Sequence, residues 1–134
     1  SNTLFNFYYD IEDLESFKEI REKLEYQVNQ LNLNTIEELN LSIKFNYNVC
    51  RYLWLQNNTE EAITKITDTI KQCKTYRTTY LLADLYVLMG NVSKNFSSKV
   101  AVKDYFETAY FLYKLEDNMS MALKIEHYIA DITE

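Results

Sequence analysis

A chain of 134 residues with no proline and a single glycine, Gly90, has few ways to fold. Proline breaks helices and glycine supplies the left-handed backbone of tight hairpin turns, so this sequence neither interrupts helices nor builds a turn-rich β protein. Helices are therefore the expected currency. Hydrophobic residues make up 47% and aromatic ones 15%, enough for a continuous core in one domain spanning 1–134.

Apolar spacings of three and four residues predict six helices. The first covers about 11–31, with Leu14, Phe17, Ile20 or Arg21, Leu24 and Val28 on one side and Asp10 or Asp13 at its start. The second covers 35–56, opened by the capping box Thr35 and Glu38, with Leu39, Ile43, Asn46, Val49, Cys50 and Leu53 as its buried stripe. The third runs from Thr59 to about Lys74 through Ala62, Ile63, Ile66 and Ile70. The fourth runs from about Thr75 to Met89 and stops at Gly90, read as a left-handed C-terminal cap. A polar connector over 91–98 follows. The fifth takes Ser98 as its cap and continues to Leu115, and the sixth runs from Met119 to Ile132.

Small and large residues alternate along these helices in a fixed pattern. Leu82, Ala83 and Tyr86 follow Thr79 at the spacing of a repeat helix, and Asn46, Val49, Cys50 and Leu53 lead through Asn57-Asn58 to Ala62 and Ile66 at the same spacing. A small side chain lets neighbouring helices approach, and the large one beyond it fills the space between them. The pattern resembles the tetratricopeptide repeat. That resemblance implies an all-α fold of antiparallel helical hairpins stacked as a right-handed superhelix of about six helices. The second helix pairs with the third and the fourth with the fifth, while the first and sixth cover the ends. The fifth and sixth also match as a pair through Ala109, Tyr113 and Ala122, which leaves the phase of the stack open there.

Chemistry has few candidates. His127 is the sole histidine and has no acid or thiol placed beside it, one glycine cannot make a phosphate loop, and Cys50 and Cys73 read as small buried side chains rather than ligands. No enzyme, cofactor or metal site is expected. The acidic pairs Glu37-Glu38 and Glu60-Glu61 fall in helix first turns, where carboxylates complement the helix dipole. A net charge of −6 opposes a nucleic-acid surface, and no stretch has the length of a membrane span or the form of a signal peptide. The expected location is cytoplasmic.

Binding is the better prospect. On the second helix Lys44, Tyr47, Asn48, Arg51 and Trp54 lie away from the buried stripe, and on the fourth Arg77, Tyr80 and Asp84 take the equivalent face. In stacked hairpins that face lines the groove, where amides hold a peptide backbone, cations meet carboxylates and an indole holds an apolar side chain. The fifth helix carries Tyr105, Phe106, Tyr110, Phe111 and Tyr113 on more than one side, so some of these rings pack in the core and others suit a dimer contact.

The stretch Tyr80 to Gly90, its polar connector and Tyr105 to Asn118 together resemble the C-terminal repeat domain of Rgg-type and PlcR-type regulators of low-GC Gram-positive bacteria. The likeness implies a domain that forms a homodimer and binds a short signalling peptide, joined to an N-terminal helix-turn-helix domain that contacts DNA. No such DNA-binding segment occurs in these residues, and the opening Ser1-Asn2 reads as a protease-cleavage remnant of an excised domain. Asn48, flanked by Lys44 and Arg51, maps to the amides that hold the peptide backbone in that family. The alternative is a repeat adaptor that binds a protein segment and has no DNA-binding role.

Overall fold

The computed structural model describes residues 21–22, 25–30 and 35–133, and all regular structure among them is helical. The first expected helix lies largely outside the described residues; within it, 21–22 and 25–29 are helical. Five further helices follow: α1 (Ile36–Leu55), α2 (Thr59–Thr75), α3 (Leu82–Ser93), α4 (Lys99–Leu115) and α5 (Met119–Thr133).

Local chemistry sets most of the boundaries. Thr35 caps α1 by accepting from the Glu38 N–H at 3.1 Å, and Ser98 caps α4 by accepting from the Ala101 N–H at 3.1 Å. Asn118 does the same for α5, accepting from the Met121 N–H at 3.2 Å. The N-cap of α2 is Asn58, and its side chain makes no capping bond.

The chain turns without glycine. Asn57, Arg77 and Asp117 each adopt a left-handed backbone just after a helix. In each case the next N–H reaches back to a carbonyl of the last helical turn: Asn58 to Leu53, Thr78 to Cys73 and Asn118 to Tyr113. This is the C-terminal motif that glycine usually serves, since a Cβ costs free energy in that conformation.

Consecutive helices pack side by side, α1 on α2, α2 on α3, α3 on α4 and α4 on α5, with a smaller contact between α1 and α3. The pairings are antiparallel. Asn46 Nδ2 donates to Gln72 Oε1 at 3.0 Å, while Cys50, further along α1, meets Thr69, earlier in α2, at 4.0 Å. Ser42 and Asn46, polar positions within the apolar stripe of α1, thus belong to the packing: Gln72 bonds Asn46 through its oxygen and Ser42 through its nitrogen. The open phase at the C-terminal end has a simple resolution, because α4 packs on both α3 and α5.

The small residues sit where the pattern put them, with Cys50, Ala62 and Ala109 fully buried and Ala83 and Ala122 nearly so. Two hydrophobic clusters result. One is built on α1 and α2 with the inner side of α3, and the other on α4 and α5 with Ala83.

The fourth expected helix requires correction at both ends. Residues 76–81 form a turn rather than a first helical segment, because Arg77 and Leu81 both take positive φ and no helix passes through them. At the other end, Gly90 is not a cap. It lies inside α3 with a negative φ, and the helix continues through Asn91 and Val92 to Ser93. Gly90 is required for space: a Cβ there would stand 2.6 Å from Cε1 of Phe106, a fully buried ring.

Gly90→Ala is therefore expected to destabilise the fold although alanine is the better helix former. Overpacking of about 1–3 kcal/mol outweighs a propensity gain of at most about 1 kcal/mol. Denaturant midpoints measure the loss, and Phe106→Leu in the Gly90→Ala background should recover part of it. Cys50 and Cys73 are free thiols. Burial raises them to about 12 and about 11 respectively. Neither should react with a thiol reagent at neutral pH until the protein unfolds, which a labelling time course against denaturant checks.

Candidate functional site

One face of α1 carries Lys44, Tyr47, Arg51 and Trp54, at spacings that keep them together, with the Tyr47 ring also packed against the core. Lys44, Tyr47 and Arg51 are half-buried, and Trp54 is 37% exposed. The Arg51 guanidinium lies 5.7 Å from the Tyr47 ring centroid, within cation–π reach of it.

Antiparallel packing of α1 on α2 and of α2 on α3 makes α1 and α3 run in the same direction. At matching spacing on α3 lie the half-buried Asp84, Val87 and Asn91, with Val87 also packed against the second hydrophobic cluster. These form a second row beside the first, and contacts at both ends fix the register between them.

At one end, the Tyr113 hydroxyl of α4 donates to Asp84 Oδ1. The Tyr113 phenol is pushed far above its ordinary range, first by burial, then by the bond to Asp84 and its charge, with smaller contributions from Tyr47 and Glu116. Tyr47, Asp84 and Tyr113, from three helices, therefore share one neighbourhood. Tyr80 joins it, its phenol raised by burial and by the Asp84 charge. At the other end, Trp54 and Asn91 line a single cleft of about 480 Å³ with Asn57, Lys94 and Phe96. Tyr47 to Trp54 and Asp84 to Asn91 are each two helical turns, so the rows stay level for about 10 Å, room for roughly three residues of extended chain.

Of the residues expected on this face, Lys44, Tyr47, Arg51, Trp54, Tyr80 and Asp84 are at least partly accessible, and Asp84 is grouped with Tyr47 and Tyr80. Asn48 is not available there. It is 3% exposed and already engaged, on the side of α1 where Phe45 and Tyr52 are also buried. The Arg21 guanidinium sits 6.0 Å from the Tyr52 ring on that side, so an earlier segment of the chain covers it. Arg77 is exposed in the turn before α3, outside the α3 row.

Two members of the site were missed from sequence. Asn91 follows Gly90 and reads as connector if that glycine ends the helix, although Leu85, Leu88 and Val92 continue the apolar spacing past it. Tyr113 reads as core, and its ring is, while its hydroxyl emerges beside Asp84. Among the described residues no group of three or more His, Cys, Asp or Glu could hold a metal ion, and no helix is long and apolar enough to cross a membrane.

No protein-family model, no curated protein and no solved structure matches this chain.

The Tyr113 shift has a pH consequence. The folded state holds the proton more tightly than the unfolded one, so this contribution to stability is complete below the free phenol value of about 10 and declines as pH rises toward the folded value. Stability should fall above about pH 10 in the natural chain and fall less steeply in Tyr113→Phe. Denaturant midpoints across alkaline pH, read for both proteins, check it.

Proposed function

We propose that this chain is the peptide-binding and dimerising domain of a regulator of the helix-turn-helix type, with DNA contacts made by another domain. The observation that supports it is the level pair of rows on α1 and α3. An extended backbone laid between them would meet the Asn91 amide and the Arg51 guanidinium. An apolar side chain would enter the cleft beside Trp54, and a basic group would lie against Asp84.

Asp84 links that face to the rest of the fold. Its carboxylate is held by Tyr113 at the C-terminal end of α4, so a ligand that competes for Asp84 loosens the tie between α3 and α4. The last turns of α4 and the first of α5 carry Phe111, Leu115, Met119 and Leu123, large apolar side chains more than half exposed. Such a patch suits a contact with a second copy, and the Asp84 tie gives peptide occupancy a route to it. A repeat adaptor would use the same rows, and would bind its segment without any change in self-association.

Trp54 is the sole tryptophan and stands in the site, so its fluorescence reports occupancy directly. Titration with a pool of short apolar peptides should shift its emission saturably. Arg51→Ala and Asn91→Ala should each weaken binding by about 1–2 kcal/mol, roughly 5- to 30-fold. Sedimentation with and without peptide separates the regulator from the adaptor. Saturating peptides that leave both Trp54 emission and thermal stability unchanged would refute the proposal.

A further inference from the structure

On another side of the molecule, α2 and α4 both pack on α3 and make at most marginal contact with one another. A cleft of about 340 Å³ remains between them, with Ile70 and Met89 in its lining, Tyr86 and Tyr105 as aromatic walls and Lys71 and Lys74 at its edge. Ile70 and Met89 are almost wholly buried, the tyrosines are half-buried and both lysines are exposed.

The charge of this lining is unusual for the chain. The protein carries 20 acidic and 14 basic residues, yet among the described residues no acidic one lines the cleft and two lysines do. Lys74, in the last turn of α2, also answers the dipole of that helix, but Lys71 lies a turn earlier. No ion pair holds either lysine among the described residues. Apolar lining with a cationic edge matches a ligand that has an apolar body and one anionic end.

We propose that the cleft between α2 and α4 binds a small amphipathic carboxylate, its body on Ile70 and Met89 between the Tyr86 and Tyr105 rings and its carboxylate between Lys71 and Lys74. The site is separate from the peptide rows and does not depend on them. It also has a structural consequence. Tyr86 packs against both hydrophobic clusters, so a ligand beside it is wedged at the seam between the two hairpins and holds their spacing.

Methyl NMR tests this on the whole chain, with Ile70 and Met89 as reporters. Decanoate and 4-phenylbutyrate, below any micelle-forming concentration, are titrated against decyltrimethylammonium as a cation of similar body. Either carboxylate should shift both methyls saturably, and the cation should not; which carboxylate binds tighter tells an alkyl from an aryl body. Lys71→Gln with Lys74→Gln, both at exposed positions, should keep the helical circular dichroism and weaken binding about tenfold, with added salt doing the same to the natural chain. Unmoved methyls, equal response to the cation, or undiminished binding by the double variant would each overturn the proposal.

Discussion

At Gly90 the α3 backbone comes so near the Phe106 ring that no side chain fits between them. The rest of the arrangement follows from that approach. Two antiparallel helices in close contact at one level have their register fixed elsewhere, and the Asp84 to Tyr113 hydrogen bond reports the same register: six residues back along α3 against seven forward along α4. A slip of one residue in α3 would rotate it by about 100°, carrying Asp84 away from Tyr113 and Asn91 off the open face. The glycine therefore fixes the position of a surface it does not touch.

The fold could be read from the sequence where the signal was local. Helical spacing, the caps at Thr35 and Ser98, and the small residues Cys50, Ala62, Ala83 and Ala109 all act within a few residues or at one helix contact, and each sits as its pattern requires. Gly90 is different. The lack of a Cβ explains a left-handed cap and a close approach equally well, and only the partner ring, in another helix, distinguishes them. The start of α3 was hidden for the opposite reason: its break is made by Arg77 and Leu81 at positive φ, residues that carry no breaker signal.

The open face divides in the same manner. Lys44, Tyr47, Arg51 and Trp54 follow from the period of one helix, as does Asp84. Asn48 follows from that period too and is buried nonetheless, since it lies at the edge of the exposed arc, where the side bearing Tyr52 is covered from outside α1. Periodicity says which side of a helix a residue occupies. It does not say which sides other segments cover, so edge positions are the least legible.

A stack of hairpins distributes its apolar contacts between neighbours, which makes the seams softer than the hairpins. Here the two clusters meet at Tyr86, on the seam between the α1–α2 and α3–α4 hairpins, whereas the carboxylate of Asp84 ties α3 to α4 inside the second hairpin. A ligand gains influence over shape only through interactions that differ between two arrangements of the fold. In the proposed function Asp84 meets that condition, because a basic guest would compete with the Tyr113 hydroxyl for its carboxylate. Lys44 and Arg51 lie on α1, so a guest's contacts with them would add affinity and leave the α3–α4 tie as it is.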